Sequence, residues 1–164
     1  MMISKKMLDA INEQINLELN SAYIYYGMVA YFEAEDYSGM AHWLNIQAKE
    51  ELEHAQRLFD FVNEVGEKVT LGALDKPSVD YKDPLDVFKA GLEHEKFITA
   101  SIQKLYELAK SEKQYAAEEM LRWFINEQVE EENNFSHIVT LLERAAGKSG
   151  SLMMIDGKLG QREE

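Results

Sequence analysis

Residues 66–83, GEKVTLGALDKPSVDYKD, lie between two stretches of helical periodicity and decide how the chain is connected. Gly72 and Pro77 break helices, and Pro84 follows directly, so the segment is predicted to be extended rather than helical. Fully extended, it spans up to about 59 Å, whereas the helix before it is about 42 Å long. The segment can therefore carry the chain back along that whole helix, and the helices on either side of it are predicted to run parallel.

Long amphipathic helices are predicted on both sides of this segment, because apolar side chains recur there at spacings of three and four residues. The predicted helices cover residues 4 to about 33, 38 to about 65, 83 to about 109, and 115 to about 147. Ser4, Ser38 and Asp83 are the expected N-caps. Short polar turns join the first helix to the second and the third to the fourth, so each pair should be antiparallel. The sequence therefore predicts an all-α four-helix bundle with one long crossover between helices two and three.

The remaining residues, 148–164, are too few for a second domain. They hold an apolar cluster between glycines, which comprises Leu152, Met153, Met154 and Ile155. We interpret this tail as a short fifth helix that buries the cluster against the bundle or against a neighbouring subunit. The whole chain, 1–164, is thus expected to form one domain, with the bundle at about 4–147.

Composition narrows the possible partners. The chain of 164 residues has 30 acidic and 17 basic side chains, a formal net charge of -13 and no Cys. A surface this acidic repels nucleic acid and anionic lipid and attracts cations, so neither nucleic acid nor membrane is an expected partner. Without Cys there are no thiolate zinc sites, iron–sulfur clusters or Cys nucleophiles, and a reducing compartment, the cytoplasm, is expected. The N-terminal sequence is a poor signal peptide, and no stretch approaches the roughly 18 apolar residues of a membrane span.

Each predicted helix places one acid in the line of its apolar face and near its middle. These acids are Glu18, Glu51, Glu95 and Glu131. An ionised carboxylate in a protein core normally neutralises, pairs or binds metal, and four together repel strongly. If the register assigned to one helix is wrong, a single acid of this kind simply faces solvent. Four such acids at matched depth on four helices favour a bound polyvalent cation.

The pair Glu51 and His54 has the Glu-x-x-His spacing, which puts both side chains on one helical face. Di-iron carboxylate proteins build sites in this way in the middle of a bundle. A carboxylate-rich site with one imidazole suits Fe(II), Fe(III) or Mn(II) rather than structural zinc.

Further polar residues lie beside these seams. Glu50, Glu127 and Glu130 could form an outer iron position, or they could be part of a solvated acidic stripe. Tyr25, on the Glu18 seam, could hydrogen-bond a ligand carboxylate or donate an electron, and it could equally be a core aromatic residue.

Five segments resemble the non-haem bacterial and archaeal ferritins and together cover nearly the whole chain. They are EQINLELNSAYIYYGM (13–28), AKEELEHAQRLFDFV (48–62), EHEKFITASIQKLYELA (93–109), WFINEQVEEENNF (123–135) and SLMMIDGKLGQR (151–162). The resemblance implies a ferritin-like fold with a ferroxidase centre. In that centre Glu18, Glu51 and His54 would hold one iron, with Glu51 bridging to a second iron held by Glu95 and Glu131.

The same resemblance implies roles for the residues around the pair. Gln128 would sit beside the two irons and Tyr25 near the first of them. The third iron position of bacterial ferritins would be matched by Glu50, Glu127 and Glu130. Haem is not expected, because haem-binding relatives have Met where this chain has Leu52, and a second Glu-x-x-His where helix four reads Gln128-Val-Glu-Glu131. A Cys-rich rubredoxin part, usual in rubrerythrin-like peroxidases, is missing as well.

The function that the resemblance implies is iron storage. Fe(II) would be oxidised by dioxygen or peroxide and stored as a ferric mineral inside a hollow shell of 24 identical subunits. Large apolar residues outside the seams are the expected contacts in such a shell: Tyr23, Tyr26, Trp43, Phe59, Trp123 and 152–155. Two other functions remain open, a di-iron oxidoreductase that stores no iron and a metal-free helical scaffold.

Overall fold

The computed structural model describes residues 3–164, and the regular structure in this range consists of α-helices without strands. The helices are α1 (Lys5–Ala34), α2 (Ser38–Glu64), α3 (Pro84–Ser111), α4 (Tyr115–Ala145) and α5 (Ser149–Leu159). The first four form the predicted bundle, and α5 is the predicted short C-terminal helix. The all-α fold class is thus confirmed. None of the helices described here is long and apolar enough to cross a membrane.

Two of the three predicted helix starts are confirmed. The Ser4 side chain accepts a hydrogen bond from the backbone N–H of Met7, and the Asp83 side chain accepts one from Asp86. The prediction that Ser38 caps α2 is wrong, because Ser38 is already the first helical residue and Tyr37 stands before it. Tyr37 provides no side-chain cap, and its ring instead packs on Phe32 with 6.1 Å between ring centres. An apolar anchor thus takes the place of the expected polar cap.

The crossover between α2 and α3 runs along α1, held by a ladder of asparagine side chains. Asn12, Asn16 and Asn20 are spaced four apart, so they form one stripe on α1. Their side-chain oxygens accept hydrogen bonds from the backbone N–H groups of Thr70, Gly72 and Asp75, at 3.0, 2.9 and 3.1 Å. Residue numbers increase in the same direction along α1 and along the crossover in these three pairs, so the crossover is parallel to α1. It therefore returns the chain to the end where α2 began, and α2 and α3 run parallel as predicted.

The core consists of two apolar clusters, one towards each end of the bundle. One contains Phe32, Phe88 and Phe135, and the other contains Ile11 and Phe124. Trp43 was expected on the surface, but it is buried in the first cluster, where its ring meets those of Phe88 and Phe135 at 5.6 and 5.1 Å. Trp43 of α2 thus packs against rings of α3 and α4 at this end of the bundle. Polar side chains separate the two clusters.

The C-terminal helix packs against α2 and α4 through one stripe of residues. Leu159 is buried and Leu152 and Ile155 are partly buried against the bundle. Met153 and Met154 lie on the opposite side of α5 and are 71% and 78% exposed, because an 11-residue helix can present only one face to the bundle. Burial against the bundle thus holds for half of the predicted cluster. Burial of the two methionines against another subunit stays a prediction.

Replacing Gly27 by Ala should destabilise the fold, because α1 and the crossover touch there. An added Cβ would overlap the backbone carbonyl oxygen of Ser78 and lie 3.1 Å from Cβ of Pro77. We expect Gly27→Ala to lower the free energy of unfolding by about 1–3 kcal/mol, as overpacking does elsewhere. Gly150→Ala is the matched control, since nothing lies within 4 Å of a Cβ there. Thermal unfolding compares the two, and equal melting temperatures would contradict the close contact.

Candidate metal centre

The structure brings four predicted acids together in the polar layer between the two apolar clusters. Glu18, Glu51, Glu95 and Glu131 come from four different helices, and each is at most 2% exposed. Helical periodicity puts each acid on the inner stripe, and the matched helix lengths put all four at one depth.

Carboxylate oxygens of these four acids and of Glu127, together with the nitrogens of His54, form three groups that could hold a metal ion, with all ligand atoms of a group within 4.8 Å of one another. The groups are Glu18–Glu51–His54, Glu51–Glu95–Glu131 and His54–Glu127–Glu131. Glu51 belongs to the first two groups, so it lies between two adjacent ligand sets. This is the arrangement that a carboxylate bridging two ions requires. His54 Nδ1 lies 3.2 Å from Glu51 Oε2, which keeps the imidazole beside the first set.

Three glutamine side chains donate hydrogen bonds to the four acids. Gln14 Nε2 donates to Glu18 Oε1 at 2.8 Å, and Gln128 Nε2 donates to Glu95 Oε2 at 3.0 Å. Gln47 Nε2 donates to two acids on different helices, Glu51 Oε1 at 3.2 Å and Glu131 Oε2 at 2.7 Å. The amide groups thus orient one oxygen of each acid.

One carboxylate oxygen of the cluster has no partner at all. Glu18 Oε2 is the one buried side-chain nitrogen or oxygen, among residues 3–164, that makes no hydrogen bond. An unsatisfied buried carboxylate oxygen is costly, and a cation beside it would remove the cost. Four carboxylates and one imidazole are hard and borderline ligands, which suit iron or manganese better than a soft metal. The residues present therefore fit the predicted metal.

Without a bound cation, burial favours the protonated form of the four acids. It raises the pKa of Glu95 to about 7 and that of Glu131 to about 8, and it also raises the pKa of Glu18 and Glu51. Burial by itself would lower the pKa of His54, but the neighbouring carboxylates of Glu127 and Glu51 raise it to about 12. A bound cation would stabilise the charged carboxylates and displace these protons.

Tyr25 lies inside the bundle at the edge of the cluster. It is fully buried, its ring stacks on Phe135 at 5.5 Å, and its hydroxyl donates to Glu95 Oε1. Burial and the charge of Glu95 raise the pKa of the Tyr25 hydroxyl well above its usual range. The hydroxyl therefore stays protonated and contacts Glu95, and the position near the first iron that the resemblance implies stays a prediction.

The three acids predicted for an outer iron position are not gathered together. Glu127 is partly buried and reaches His54, with Oε1 3.7 Å from Nε2. Glu50 instead pairs with Arg162 at 2.6 Å, and Glu130 is exposed and belongs to none of the ligand groups found among residues 3–164. The outer position stays a prediction, and of the three residues Glu127 lies closest to the inner set.

Sequence reasoning missed the contacts that Gln14, Gln47 and Arg162 make around the cluster. A signal was present for the two glutamines, because each stands four residues before an acid of the cluster on the same helix, Glu18 and Glu51. No periodicity could have linked Arg162 to α2, since its contacts depend on how the tail folds back.

Comparison with known proteins gives one consistent family. Residues 8–145 match the family described as a ferritin-like domain. The chain is 37% identical over 161 residues to the bacterial non-heme ferritin of Staphylococcus aureus strain USA300, covering 98% of this chain and 97% of that protein. Its structure matches an open-pore ferritin from the hyperthermophilic archaeon Archaeoglobus fulgidus with a TM-score of 0.97 at 40% identity, covering 98% and 99% of the two chains. An engineered closed form of the Archaeoglobus fulgidus ferritin also matches with a TM-score of 0.97, at 40% identity and 98% coverage of both chains.

The metal-free protein should lose stability as the pH rises. Folding raises the pKa of Glu131 from 4.5 to about 8, so the folded state binds more protons than the unfolded state between these values. The stabilisation is present below about pH 4.5 and is lost as the pH rises through 8. Urea unfolding of chelator-treated protein should therefore show a free energy of unfolding that falls from pH 5 to pH 8.

The variant Glu131→Gln should flatten this fall, because the amide does not ionise. Glu132→Gln removes the same charge from the neighbouring position, outside the cluster, and is the control. A pH profile that is equally steep in Glu131→Gln and the parent protein would show that the cluster does not hold protons.

Proposed function

Because the chain belongs to the ferritin family, we propose that it is an iron-storage ferritin that oxidises Fe(II) at the buried cluster and stores Fe(III) as a mineral in a hollow shell. The observation that carries the proposal is the unpaired oxygen Glu18 Oε2 within a core of four carboxylates and His54. In a metal-free helical scaffold such a core would only cost folding free energy, because no cation would neutralise its carboxylates.

We assign the ligands as the geometry and the family likeness suggest. Glu18, Glu51 and His54 would bind the first Fe(II), and Glu51 would bridge to a second Fe(II) bound by Glu95 and Glu131. The remaining assignments are Gln128 beside the pair, Tyr25 as a hydrogen-bond donor to Glu95, and Glu50, Glu127 and Glu130 for a third, outer iron. No haem is proposed.

The reaction would use two Fe(II) as substrate at a time. Each Fe(II) gives up one electron, and dioxygen accepts the two electrons with two protons to form hydrogen peroxide. Hydrogen peroxide as the oxidant would accept two electrons and two protons to form two molecules of water. The protein's part is to hold the two ions side by side and to manage protons. The acids with raised pKa release protons when Fe(II) binds and are able to take them up again when the ferric product leaves.

Access to the cluster favours small reactants over an organic substrate. The four acids are at most 2% exposed. A groove of about 330 Å³ between α1 and α3 reaches Gln14, Ser101 and Phe97 but is lined by none of the four acids. Fe(II) and dioxygen are small enough to enter such a core, whereas a di-iron oxidoreductase with an organic substrate needs an open pocket beside the metals.

We further propose that 24 copies of this one-domain chain form the shell, in the cytoplasm. Tyr23 and Tyr26 on α1 are 45% and 43% exposed, and Leu71, Leu74 and Val79 of the crossover are also exposed. Because the crossover lies along α1, these apolar side chains belong to neighbouring segments, and such a surface suits a contact between identical copies. The formal net charge of -13 would concentrate Fe(II) at the shell.

Replacing the bridging acid should remove rapid iron oxidation. In Glu51→Ala both iron positions lose a ligand, so we expect the initial rate of Fe(II) oxidation, followed by absorbance, to fall by a factor of about 100 or more, as loss of a ligand costs more than loss of a supporting contact. Loss of a buried acid also relieves repulsion, so the metal-free variant should be at least as stable as the parent protein. Glu53→Ala is the control, since Glu53 lies on the same helix and faces solvent. Fast oxidation in Glu51→Ala would refute the assignment of the centre.

Iron retention should separate storage from turnover without storage. Several hundred Fe(II) per shell are added in air, and the iron that co-elutes with the protein in gel filtration is measured. We expect most of the iron to remain with a particle of about 24 subunits. A stable monomer of 18.9 kDa that oxidises Fe(II) but retains no more than its few bound ions would refute the storage shell and support a di-iron oxidase.

A further inference from the structure

Arg162, in the tail that follows α5, is held against α2 by several contacts. Its Nη1 donates to the backbone carbonyl of Trp43 and to Gln47 Oε1, both at 3.1 Å, and its Nη2 donates to Glu50 Oε2 at 2.6 Å. Its guanidinium carbon lies 4.2 Å from the centre of the Trp43 ring, and the side chain is only 16% exposed. A side chain with this many partners occupies one position rather than sampling the surface.

The contact with Gln47 decides which way its amide points. A guanidinium group donates hydrogen bonds and accepts none, so the oxygen of the Gln47 amide must face Arg162. The NH₂ group then faces the core, where one hydrogen reaches Glu131 Oε2 at 2.7 Å and the other reaches Glu51 Oε1 at 3.2 Å. Once a cation has displaced the protons of Glu51 and Glu131, a flipped amide would turn its oxygen towards two carboxylates and be repelled by them. Arg162 thus fixes the orientation in which Gln47 ties α2 to α4.

We propose that Arg162 is a positioning residue for the metal centre, which acts through Gln47 to hold Glu51 and Glu131 at the separation that metal binding requires. This inference rests on the proposed function, because it concerns the same cluster. The metal affinity of the centre would then depend on the C-terminal tail as well, although the tail supplies no ligand.

The other two glutamines of the cluster, Gln14 and Gln128, contact α3 and not the C-terminal tail. Gln14 Oε1 accepts a hydrogen bond from Ser101 Oγ of α3 at 2.5 Å, and Gln128 Nε2 also contacts Thr99 Oγ1 of α3 at 3.3 Å. These two amides are therefore oriented by helices of the bundle itself. The Gln47 amide depends on the tail, so detachment of residues after Leu159 would loosen one side of the cluster and leave the other side in place.

A purely structural role for Arg162, to fasten the tail, predicts a different result. The pair Lys49–Glu164 also joins the tail to α2, but its side chains are 51% and 69% exposed. Neither of them hydrogen-bonds Gln47 or an acid of the cluster. Lys49→Gln is therefore the matched control, because it removes a tail contact next to Glu50 without touching the amide.

The test uses Co(II), whose visible absorption reports ligand geometry and which needs no oxidation step. The full chain, freed of metal, is titrated with Co(II) in the parent protein, Arg162→Gln and Lys49→Gln. We expect Arg162→Gln to weaken binding of the first two Co(II) per chain by a factor of about 3–10 and to change the intensity of the visible bands. This loss is smaller than the 10–100-fold typical for a direct partner of a ligand, because Arg162 acts one contact further out. Lys49→Gln should match the parent protein.

The variant Gln47→Met tests whether the effect passes through the amide. It removes both hydrogen bonds to the acids at similar side-chain volume, so it should weaken Co(II) binding at least as much as Arg162→Gln. The double variant should then be no weaker than Gln47→Met alone, because the link is already broken. Gln47→Met also keeps the test decisive if Arg162→Gln does not assemble like the parent protein.

Three results would overturn the inference. They are Co(II) binding by Arg162→Gln within twofold of the parent protein, a loss in Lys49→Gln as large as in Arg162→Gln, and losses that add in the double variant. A parent protein that binds no Co(II), or that binds it equally well as Glu51→Ala, would instead refute the proposed function and the inference with it.

Discussion

The constraint on which the structure depends is the burial of four carboxylates and one imidazole in the middle of a helical bundle. Such a cluster is unfavourable in a core unless protons or cations neutralise it, because like charges repel and burial disfavours ionisation. The rest of the core is arranged around it. Apolar clusters with Phe32 at one end and Phe124 at the other carry the packing, while Gln14, Gln47 and Gln128 orient the acids between them. Apolar packing at both ends of the bundle thus flanks an unfavourable polar layer at its centre.

The path of the chain brings the acids to one depth. Short turns make α1 and α2 antiparallel, and likewise α3 and α4, so mid-helix residues of each pair lie opposite each other. The crossover then returns the chain along the bundle. As a result α2, which carries Glu51, and α3, which carries Glu95, run parallel. Hydrogen bonds from the crossover to Asn12, Asn16 and Asn20 hold it on α1, where Gly27 leaves room for it.

Residue spacing predicted the helices and the four central acids, because a 3/4 repeat and a mid-helix acid are local features that tertiary contacts do not override. The crossover was predicted from Gly72, Pro77 and the length of residues 66–83. The errors arise from aromatic contacts that spacing does not show, one of them local (Tyr37 with Phe32) and one between residues distant in sequence (Trp43 with Phe88 and Phe135). Tyr37 replaced the expected cap at Ser38 through an aromatic contact, and Trp43 was buried by rings of α3 and α4. The contacts of Arg162 follow from a tail that folds back over α2, where this arginine also hydrogen-bonds Glu50.

The proposed di-iron centre is tested most directly by anomalous diffraction at the iron edge from crystals loaded with Fe(II) without oxygen. We expect two peaks in each chain, inside the bundle and about 3.5–4 Å apart, as in other two-metal sites, with Glu51 between them and Glu18 Oε2 bound to one. Iron found only on the acidic outer surface, with no peak within bonding distance of Glu18, Glu51 or Glu95, would contradict the proposed centre.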